Sequence, residues 1–225
     1  MDSVALNKLD RLFWLGRYIE RTLIEIEIMQ QVYDQCIDGP AFDYAGFCEN
    51  LEIPNVYADS DDFIKRFLFD RNDPYSVITN LNCAYDNAIV LRESISSASL
   101  SYIQMAVNLM DAAANGVAPM LELQSVTDML YAFRGCSDDS ILETSSRYTL
   151  KCGSSVERID MYVRLNYHLE NLDREFSRLN HRLQRTPLRR DGNKLMLLLG
   201  LAPNPDPKNN RKILLDCVEG LFIDV

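Results

Sequence analysis

The stretch LFWLGRYIER, residues 12–21, decides the fold because it places an apolar face, Gly16 and three charged residues on one helix; the charged residues are Arg17, Glu20 and Arg21. When residues are set about 100° apart around a helix, the neighbouring leucines, isoleucines and Phe13 fall on one side. Glu20 and Glu27 project into that apolar arc, whereas Arg17 lies at its edge. A helix with carboxylates turned towards a protein core is therefore expected, and each carboxylate needs a cation or hydrogen bonds there.

The hydrophobic pattern is helical along the whole chain, and no segment alternates with a period of two over a useful length. We therefore expect an all-α fold, a helical bundle of about five long helices with a small helical C-terminal appendage. Residues 1–202 are the predicted helical domain, and residues 203–225 are the appendage packed on it. The predicted helices span residues 3–38, 63–69, 74–95, 102–114, 119–133, about 138–184 with one possible break near 153, 194–201 and 213–221. Ser3 and Asp73 are predicted N-caps, and Asp38-Gly39-Pro40 is predicted to end the first helix. Residues 39–60 are predicted as an irregular connection whose aromatic side chains cover the core.

Composition excludes several classes of function. The 225 residues carry 23 Lys and Arg against 33 Asp and Glu, a net charge of −10 that repels a polyphosphate backbone, so no nucleic-acid partner is expected. The longest apolar run, residues 195–201, is far shorter than the roughly 20 residues of a membrane span. The six cysteines have no metal-ligand spacing and are expected to be free thiols. A cytoplasmic protein without a membrane partner is predicted.

The spacing between a glycine and a Glu-Arg pair occurs a second time in the sequence. Gly153 is followed four residues later by Glu157-Arg158, in the same register as Gly16 and its Glu-Arg pair. On the later helix, Glu157 shares one side with Asp160, Arg164 and His168. Glycine in mid-helix costs about 1 kcal/mol relative to alanine, so both glycines predict a close approach of two helices or of a ligand. The two copies together predict a pseudo-symmetric polar centre.

These segments resemble the bacterial alpha-E domain family, whose members are all-helical. LFWLGRYIER (12–21) is similar to the first signature of that family, and CGSSVERIDMYVRL (152–165) is similar to the second. NDPYSV (72–77) and LNCAYDNAIVLRESIS (81–96) resemble the segment between them. The resemblance covers roughly residues 1–200, and the first signature is its most specific part.

The resemblance carries over residue by residue. Glu20 and Glu157 match the two signatures, and the projection of their carboxylates into apolar arcs makes them the candidate catalytic residues. The candidate ligand-binding residues that match are Arg17, Arg21, Asn87, Arg92, Glu93, Arg158, Asp160 and Arg164. Ser154, Tyr85 and Ile89 depart from the family pattern, which has arginine at these positions, so fewer cations are available here to hold an anion.

The resemblance also implies a function and partners. The family is associated with ATP-grasp-type ligases and transglutaminase-like proteins, which implies a component of a bacterial ATP-dependent system that makes or modifies peptide or amide bonds. The partner ligase would use ATP and Mg²⁺, and this chain would bind no cofactor directly. A peptide or an amino acid is the expected substrate.

Two interpretations of the polar centre remain open. In the first, Arg17, Arg21, Arg92 and Arg158 hold a carboxylate or phosphate while Glu20 or Glu157 transfers a proton. In the second, the chain is a noncatalytic helical scaffold or docking subunit, and the Glu/Arg centre is structural. A solvent-open pocket at both Glu-Arg pairs would favour the first interpretation, and a closed, paired network would favour the second.

Three further features have competing interpretations. No metal site is predicted: two histidines cannot build a histidine-rich centre, and arginines beside Glu20, Glu157 and Asp160 favour an anion over a hard cation. Cys152 has no base near it in sequence, which disfavours a nucleophile. The basic stretch RLQRTPLRRDGNK, residues 182–194, is interpreted either as a solvated helix end or as a docking patch for a phosphate-bearing or acidic partner.

Overall fold

The computed structural model describes residues 3–39, 42–202 and 205–223, with side chains for all of these except 3–5 and 36–38. Within these residues, eleven α-helices and one short 3₁₀ helix form the fold. An isolated antiparallel bridge joins Arg190 to Phe222, and no strand occurs in the described ranges. The prediction of an all-α fold is confirmed. The predicted cap at Ser3 and the predicted free thiol of Cys36 lie outside the described side chains.

The chain forms two compact units. The first unit contains residues 1–20 and 142–225, and the second contains residues 21–141. The first helix, α1 (Ser3–Asp38), ends where the Asp-Gly-Pro sequence predicts, and its residues up to Glu20 belong to the first unit. The boundary predicted after residue 202 divides the chain differently and stays a prediction.

The second unit is built around a cluster of aromatic side chains and a helical hairpin. Its helices after α1 are α2 (Tyr44–Leu51), α3 (Ser60–Phe69), α4 (Val77–Val90), α5 (Arg92–Ile95), α6 (Ser97–Ala114) and α7 (Pro119–Ser140). Residues 39–60, predicted as an irregular connection, contain α2. Phe47 and Tyr57 pack edge-on against the fully buried Phe63. The aromatic side chains of this connection thus cover the core, as predicted.

The second predicted long helix is interrupted. α4 begins at Val77 and not directly after the Asp-Pro pair. Asp73 Oδ1 accepts the Tyr75 backbone N–H at 2.9 Å in a turn before the helix, and Asp73 Oδ2 accepts a 2.7 Å hydrogen bond from the Tyr57 hydroxyl. Ser76 caps the helix instead, since its side chain accepts a backbone N–H of the first turn. Ser96, with a left-handed φ of 77°, separates α5 from α6. The apolar stripe therefore continues over two helices, α4 and α5, where one was predicted.

The first unit adds four helices to the start of α1. They are α8 (Thr144–Leu165), α9 (Leu172–Leu183), α10 (Gly192–Leu201) and α11 (Pro207–Glu219), with a 3₁₀ turn at Leu169–Asn171. The helix predicted over residues 138–184 is divided at Asn166 and His168, whose φ angles of 51° and 46° are left-handed and stop an α-helix. Gly153 does not interrupt it. His168 therefore lies past the end of α8 and not on its polar face, which corrects the prediction.

Candidate functional site

Two glycines bring α1 and α8 into close contact. A Cβ atom added to Gly16 would collide with the carbonyl oxygen of Leu150, and one added to Gly153 would collide with that of Phe13. The Ser154 hydroxyl donates a 3.2 Å hydrogen bond to the Gly16 carbonyl oxygen. The predicted close approach is confirmed at both glycines, and the two Gly-x-x-x-Glu-Arg motifs face each other.

Arg17 pairs with the carboxylate of the opposite motif. Its Nε donates to Glu157 Oε2 at 2.5 Å. Its guanidinium also lies over the Trp14 ring, with Cζ 4.8 Å from the ring centroid, which is a favourable position for a cation. Glu157 is 0% exposed. The carboxylate is therefore buried, as predicted, and has an arginine partner.

Arg158 joins Glu20 to a third carboxylate. Its Nε and Nη2 lie 2.8 Å and 2.7 Å from Glu20 Oε1, and its Nη1 lies 3.1 Å from Glu175 Oε2. Glu20 is 2% exposed, so its predicted burial is also confirmed. The ion pairs cross between the motifs, since Arg17 of the first motif pairs with Glu157 of the second, and Arg158 of the second pairs with Glu20 of the first.

Glu175 on α9 is a member of this centre that the sequence interpretation missed. It is 0% exposed, and Arg178 Nη1 approaches its Oε1 to 2.7 Å while Arg174 Nε lies 3.7 Å away. A signal was present in the sequence, because Glu175 falls in the apolar stripe formed by Leu172, Phe176, Leu179 and Leu183, which α9 buries. Together with Glu20 and Glu157 it completes the buried carboxylates of the Glu/Arg centre.

Arg182 borders the centre beside Cys152. Its Nη1 donates to the Ser155 hydroxyl at 2.5 Å and to the Lys151 carbonyl oxygen at 2.9 Å. Burial lowers the pKa of Arg182, and the positive charge of Arg158 lowers it further. Burial raises the pKa of the Cys152 thiol to about 12, against the opposing effect of Arg182. The thiol is protonated at neutral pH, which argues against a nucleophile.

A second ionic cluster links α8 to α11. Arg164 Nε donates to both carboxylate oxygens of Asp160, at 3.2 Å and 3.1 Å, and Arg164 Nη2 contacts Glu219. Arg211 donates to the Arg164 carbonyl oxygen at 3.0 Å. Asp160 is 1% exposed and Arg164 is 9% exposed. The arginine therefore joins its own helix to α11.

Four other candidate residues belong to the second unit. Arg21 is half-buried on α1, and Asn87 is half-buried on α4. Arg92 and Glu93 are exposed on α5. The contacts that build the Glu/Arg centre come from the first unit, so a shared role for these four residues stays a prediction.

The predicted inward orientation of Glu27 is wrong. Glu27 is exposed, whereas Glu25 is 2% exposed and accepts a 3.1 Å hydrogen bond from Asn80 Nδ2. The apolar arc was drawn from the first turns of α1, and the later turns bury a different set of positions, which includes Thr22 and Met29. A single helical projection therefore cannot describe both ends of a helix of 36 residues.

The Glu/Arg centre can fix the register of three helices or hold an anion. Charge-assisted hydrogen bonds between α1, α8 and α9 offset part of the cost of removing these ions from water. If an anionic ligand took the place of one glutamate carboxylate, the arginines would already be positioned to bind that ligand. Within the described residues, no group of three or more His, Cys, Asp or Glu side chains is positioned to hold a metal ion. In the same residues, no helix is long and apolar enough to cross a membrane.

The fold and the paired motifs define a helical protein with Glu-Arg sequences on two contacting helices. A family model, Alpha-E, matches residues 8–200 and is described as a predicted alpha-helical domain with a conserved ER motif. The match covers most of the chain, which therefore belongs to the Alpha-E family. A search of curated proteins and a search of solved structures each found no match.

Proposed function

We propose that this chain is a component of a bacterial, cytoplasmic, ATP-dependent system that makes or modifies amide bonds in peptides. Within that system it serves an ATP-grasp-type ligase as a noncatalytic helical docking subunit, and the ligase supplies the ATP and Mg²⁺ chemistry. The link to the ligase rests on what the family resemblance implies. The noncatalytic role rests on the Glu/Arg centre of the first unit.

One observation carries the noncatalytic role. Glu20, Glu157 and Glu175 are all buried, and an arginine from another helix of the first unit lies within hydrogen-bond distance of each. A general acid or base must reach a substrate proton, directly or through one water. Carboxylates engaged in this way are better suited to hold α1, α8 and α9 in register than to exchange protons with a substrate.

A second candidate function is favoured by the excess of cations beside the centre. Arg182 lies close enough to Arg158 and Arg178 for their charges to lower its pKa. An anion such as a substrate carboxylate or a phosphate would relieve this repulsion. In that case the centre would bind part of the peptide substrate, with Glu20 or Glu157 as the proton-transferring residue.

The test uses the full chain and the ATP-grasp-type ligase of the same organism, with ATP, Mg²⁺ and candidate peptides. Binding is measured by calorimetry, and turnover is measured from ADP release and the mass of the product. We expect the wild-type chain to bind the ligase and raise its turnover. Glu20→Gln, checked for folding by circular dichroism, is expected to keep both effects within about twofold, because the centre is structural. Glu170→Gln, at an exposed carboxylate of the same unit, is the matched control.

Two results would contradict the proposal. If folded Glu20→Gln binds the ligase normally but no longer raises turnover, the centre is catalytic and the second candidate is correct. If wild-type chain and ligase do not bind each other, both candidates fail. If Glu20→Gln does not fold, the double substitution of Arg17→Met and Glu157→Leu replaces a pair by apolar groups and answers the same question.

A further inference from the structure

The two units of the chain carry opposite charge. The first unit has 17 Lys and Arg against 14 Asp and Glu, whereas the second has 6 against 19. The net charge of −10 for the whole chain therefore comes entirely from the second unit. A surface on the first unit can attract anionic groups although the protein as a whole is acidic.

Cations are concentrated around one aromatic side chain of the first unit. Arg185 Cζ lies 5.2 Å, Lys151 Nζ 5.5 Å and Arg147 Cζ 6.0 Å from the centroid of the Tyr148 ring. The His181 ring centroid lies 6.3 Å from the same ring. We call these five residues the Tyr148 patch. They come from the first half of α8 and from the end of α9 and the segment that follows it.

The Tyr148 patch is accessible. Arg185 and His181 are exposed, and the three residues from α8 are partly exposed. The acidic residue one turn before Arg147, Glu143, accepts a 2.7 Å hydrogen bond from Lys8 and a 2.6 Å hydrogen bond from Ser146. The surface therefore combines cationic side chains with an aromatic ring, and the nearby Glu143 is paired with Lys8.

This combination fits a particular kind of ligand. Three cationic side chains lie within about 6 Å of one ring, and their positive charge attracts carboxylates. Tyrosine and arginine are also the side chains that most often dominate binding energy in protein interfaces. A nucleic acid or an anionic membrane extends over a large area, so the net charge of the whole chain opposes it. A short acidic peptide segment needs only the patch.

We propose that the Tyr148 patch docks a segment rich in Asp and Glu on a partner protein. This inference rests on the proposed function, in which that partner is the ATP-grasp-type ligase. The cations set the association rate and its salt dependence, and Tyr148 keeps the side chains of Lys151 and Arg185 ordered for binding.

The experiment measures binding of a fluorescein-labelled peptide of consecutive glutamates to the full chain by fluorescence anisotropy. The test variant combines Lys151→Glu with Arg185→Glu. The matched control combines Lys208→Glu with Lys212→Glu, which makes the same charge change at exposed lysines of α11. We expect the test variant to bind at least about tenfold more weakly and the control to stay within about twofold of wild type. Tyr148→Phe should bind like wild type, and Tyr148→Ala should bind more weakly.

Other outcomes overturn the inference. If the peptide does not bind even at low salt, the patch is not a docking surface for acidic segments. If the test and control variants lose the same affinity for the peptide, the binding is not specific to the patch. Inorganic polyphosphate and vesicles of phosphatidylcholine with phosphatidylglycerol are tested in the same way. If either binds more tightly than the peptide, the ligand of the Tyr148 patch bears phosphate. If the charge-reversed chain does not fold, Lys151→Gln with Arg185→Gln replaces it.

The ligase itself separates this inference from the proposed function. If the wild-type chain binds the peptide through the patch but does not bind the ligase, the proposed function fails and the acidic-segment inference stands. If the wild-type and charge-reversed chains bind the ligase equally well, the inference fails and the docking function stands. If charge reversal weakens peptide and ligase binding together, both are supported.

Discussion

Arg17 and Glu157 form an ion pair between α1 and α8 that has no symmetric counterpart. In the two aligned motifs, Ser154 occupies the position equivalent to Arg17 and donates to the Gly16 carbonyl oxygen instead. Glu20 is served by Arg158, which also contacts Glu175. One arginine therefore holds two buried carboxylates, so the pseudo-symmetry of the sequence is broken at the level of ion pairing.

The first prediction concerns the Arg17–Glu157 pair. Glu157→Gln leaves the half-buried guanidinium without its opposite charge, so we expect the free energy of unfolding to fall by about 3 kcal/mol. Arg17→Met with Glu157→Leu removes both charges and should cost less than the single substitution. Urea unfolding followed by circular dichroism measures both. A double variant at least as unstable as Glu157→Gln would show that the pair stabilises the fold beyond its desolvation cost.

The second prediction uses two glycines in helices. Gly153→Ala should destabilise the fold by about 2 kcal/mol or more, because the added Cβ collides with the rigid backbone carbonyl of Phe13. Gly135→Ala is the control, since a Cβ added at that exposed position of α7 has no atom within 4 Å apart from its chain neighbours and the adjacent backbone of its own helix. It should stabilise the helix by up to about 1 kcal/mol. Thermal melts that move in the same direction for both variants would contradict the close approach of α1 and α8.

The third prediction concerns thiol reactivity. A buried thiol with a pKa of about 12 has almost no thiolate at about pH 8, so Cys152 should react with iodoacetamide far more slowly than Cys83 and Cys136, which are partly exposed. Mass spectrometry of peptides from native and urea-unfolded protein gives the rates. If iodoacetamide reacts rapidly with Cys152 in the native protein, the thiol is again a candidate nucleophile.

The fourth prediction concerns acid stability. The hydrogen bonds from Lys8, Ser146 and Ser145 lower the pKa of Glu143 from 4.5 to about 2. A lowered pKa in the folded state stabilises the protein above the unfolded pKa, and this contribution disappears as the pH falls from about 4.5 to about 2. Because Glu143 is largely exposed, solvent screening keeps the effect below about 1 kcal/mol. Glu143→Gln should therefore be less stable than wild type near neutrality, and the difference should vanish near pH 2. A difference independent of pH would contradict this.

The sequence predicted the helical class and the most important part of the centre. The projection of α1 placed Glu20 in the core, and the repeated motif identified Glu157 as its counterpart. Both predictions depend on local periodicity and on glycine in mid-helix, which are properties of the chain itself. The pairing of Arg17 with Glu157 and of Arg158 with Glu20 could not be predicted, because it depends on how two helices distant in sequence are aligned.

The errors have the same origin. Glu27 was placed inward because one apolar arc was applied to the whole of α1, although the buried positions change along that helix. The helix boundary at Asn166 was missed because it depends on a left-handed backbone conformation that no glycine or proline marks. Asp73 was predicted as a helix cap, but its carboxylate accepts from the Tyr75 backbone N–H in a turn and from the Tyr57 hydroxyl, and Ser76 caps α4. In each case the local sequence pattern did not determine the conformation that the chain adopts.

The discontinuous first unit has a consequence for biosynthesis. Arg17 is 140 residues from Glu157 along the chain, and Glu20 is 138 residues from Arg158. At translation rates of about 5–20 residues per second, the start of α1 is synthesised about 7 to 28 seconds before its ionic partners. All residues of the second unit leave the ribosome in that interval. The order of synthesis therefore lets the second unit fold before the Glu/Arg centre can close, and leaves the charged, apolar start of α1 as the segment most in need of protection by a chaperone.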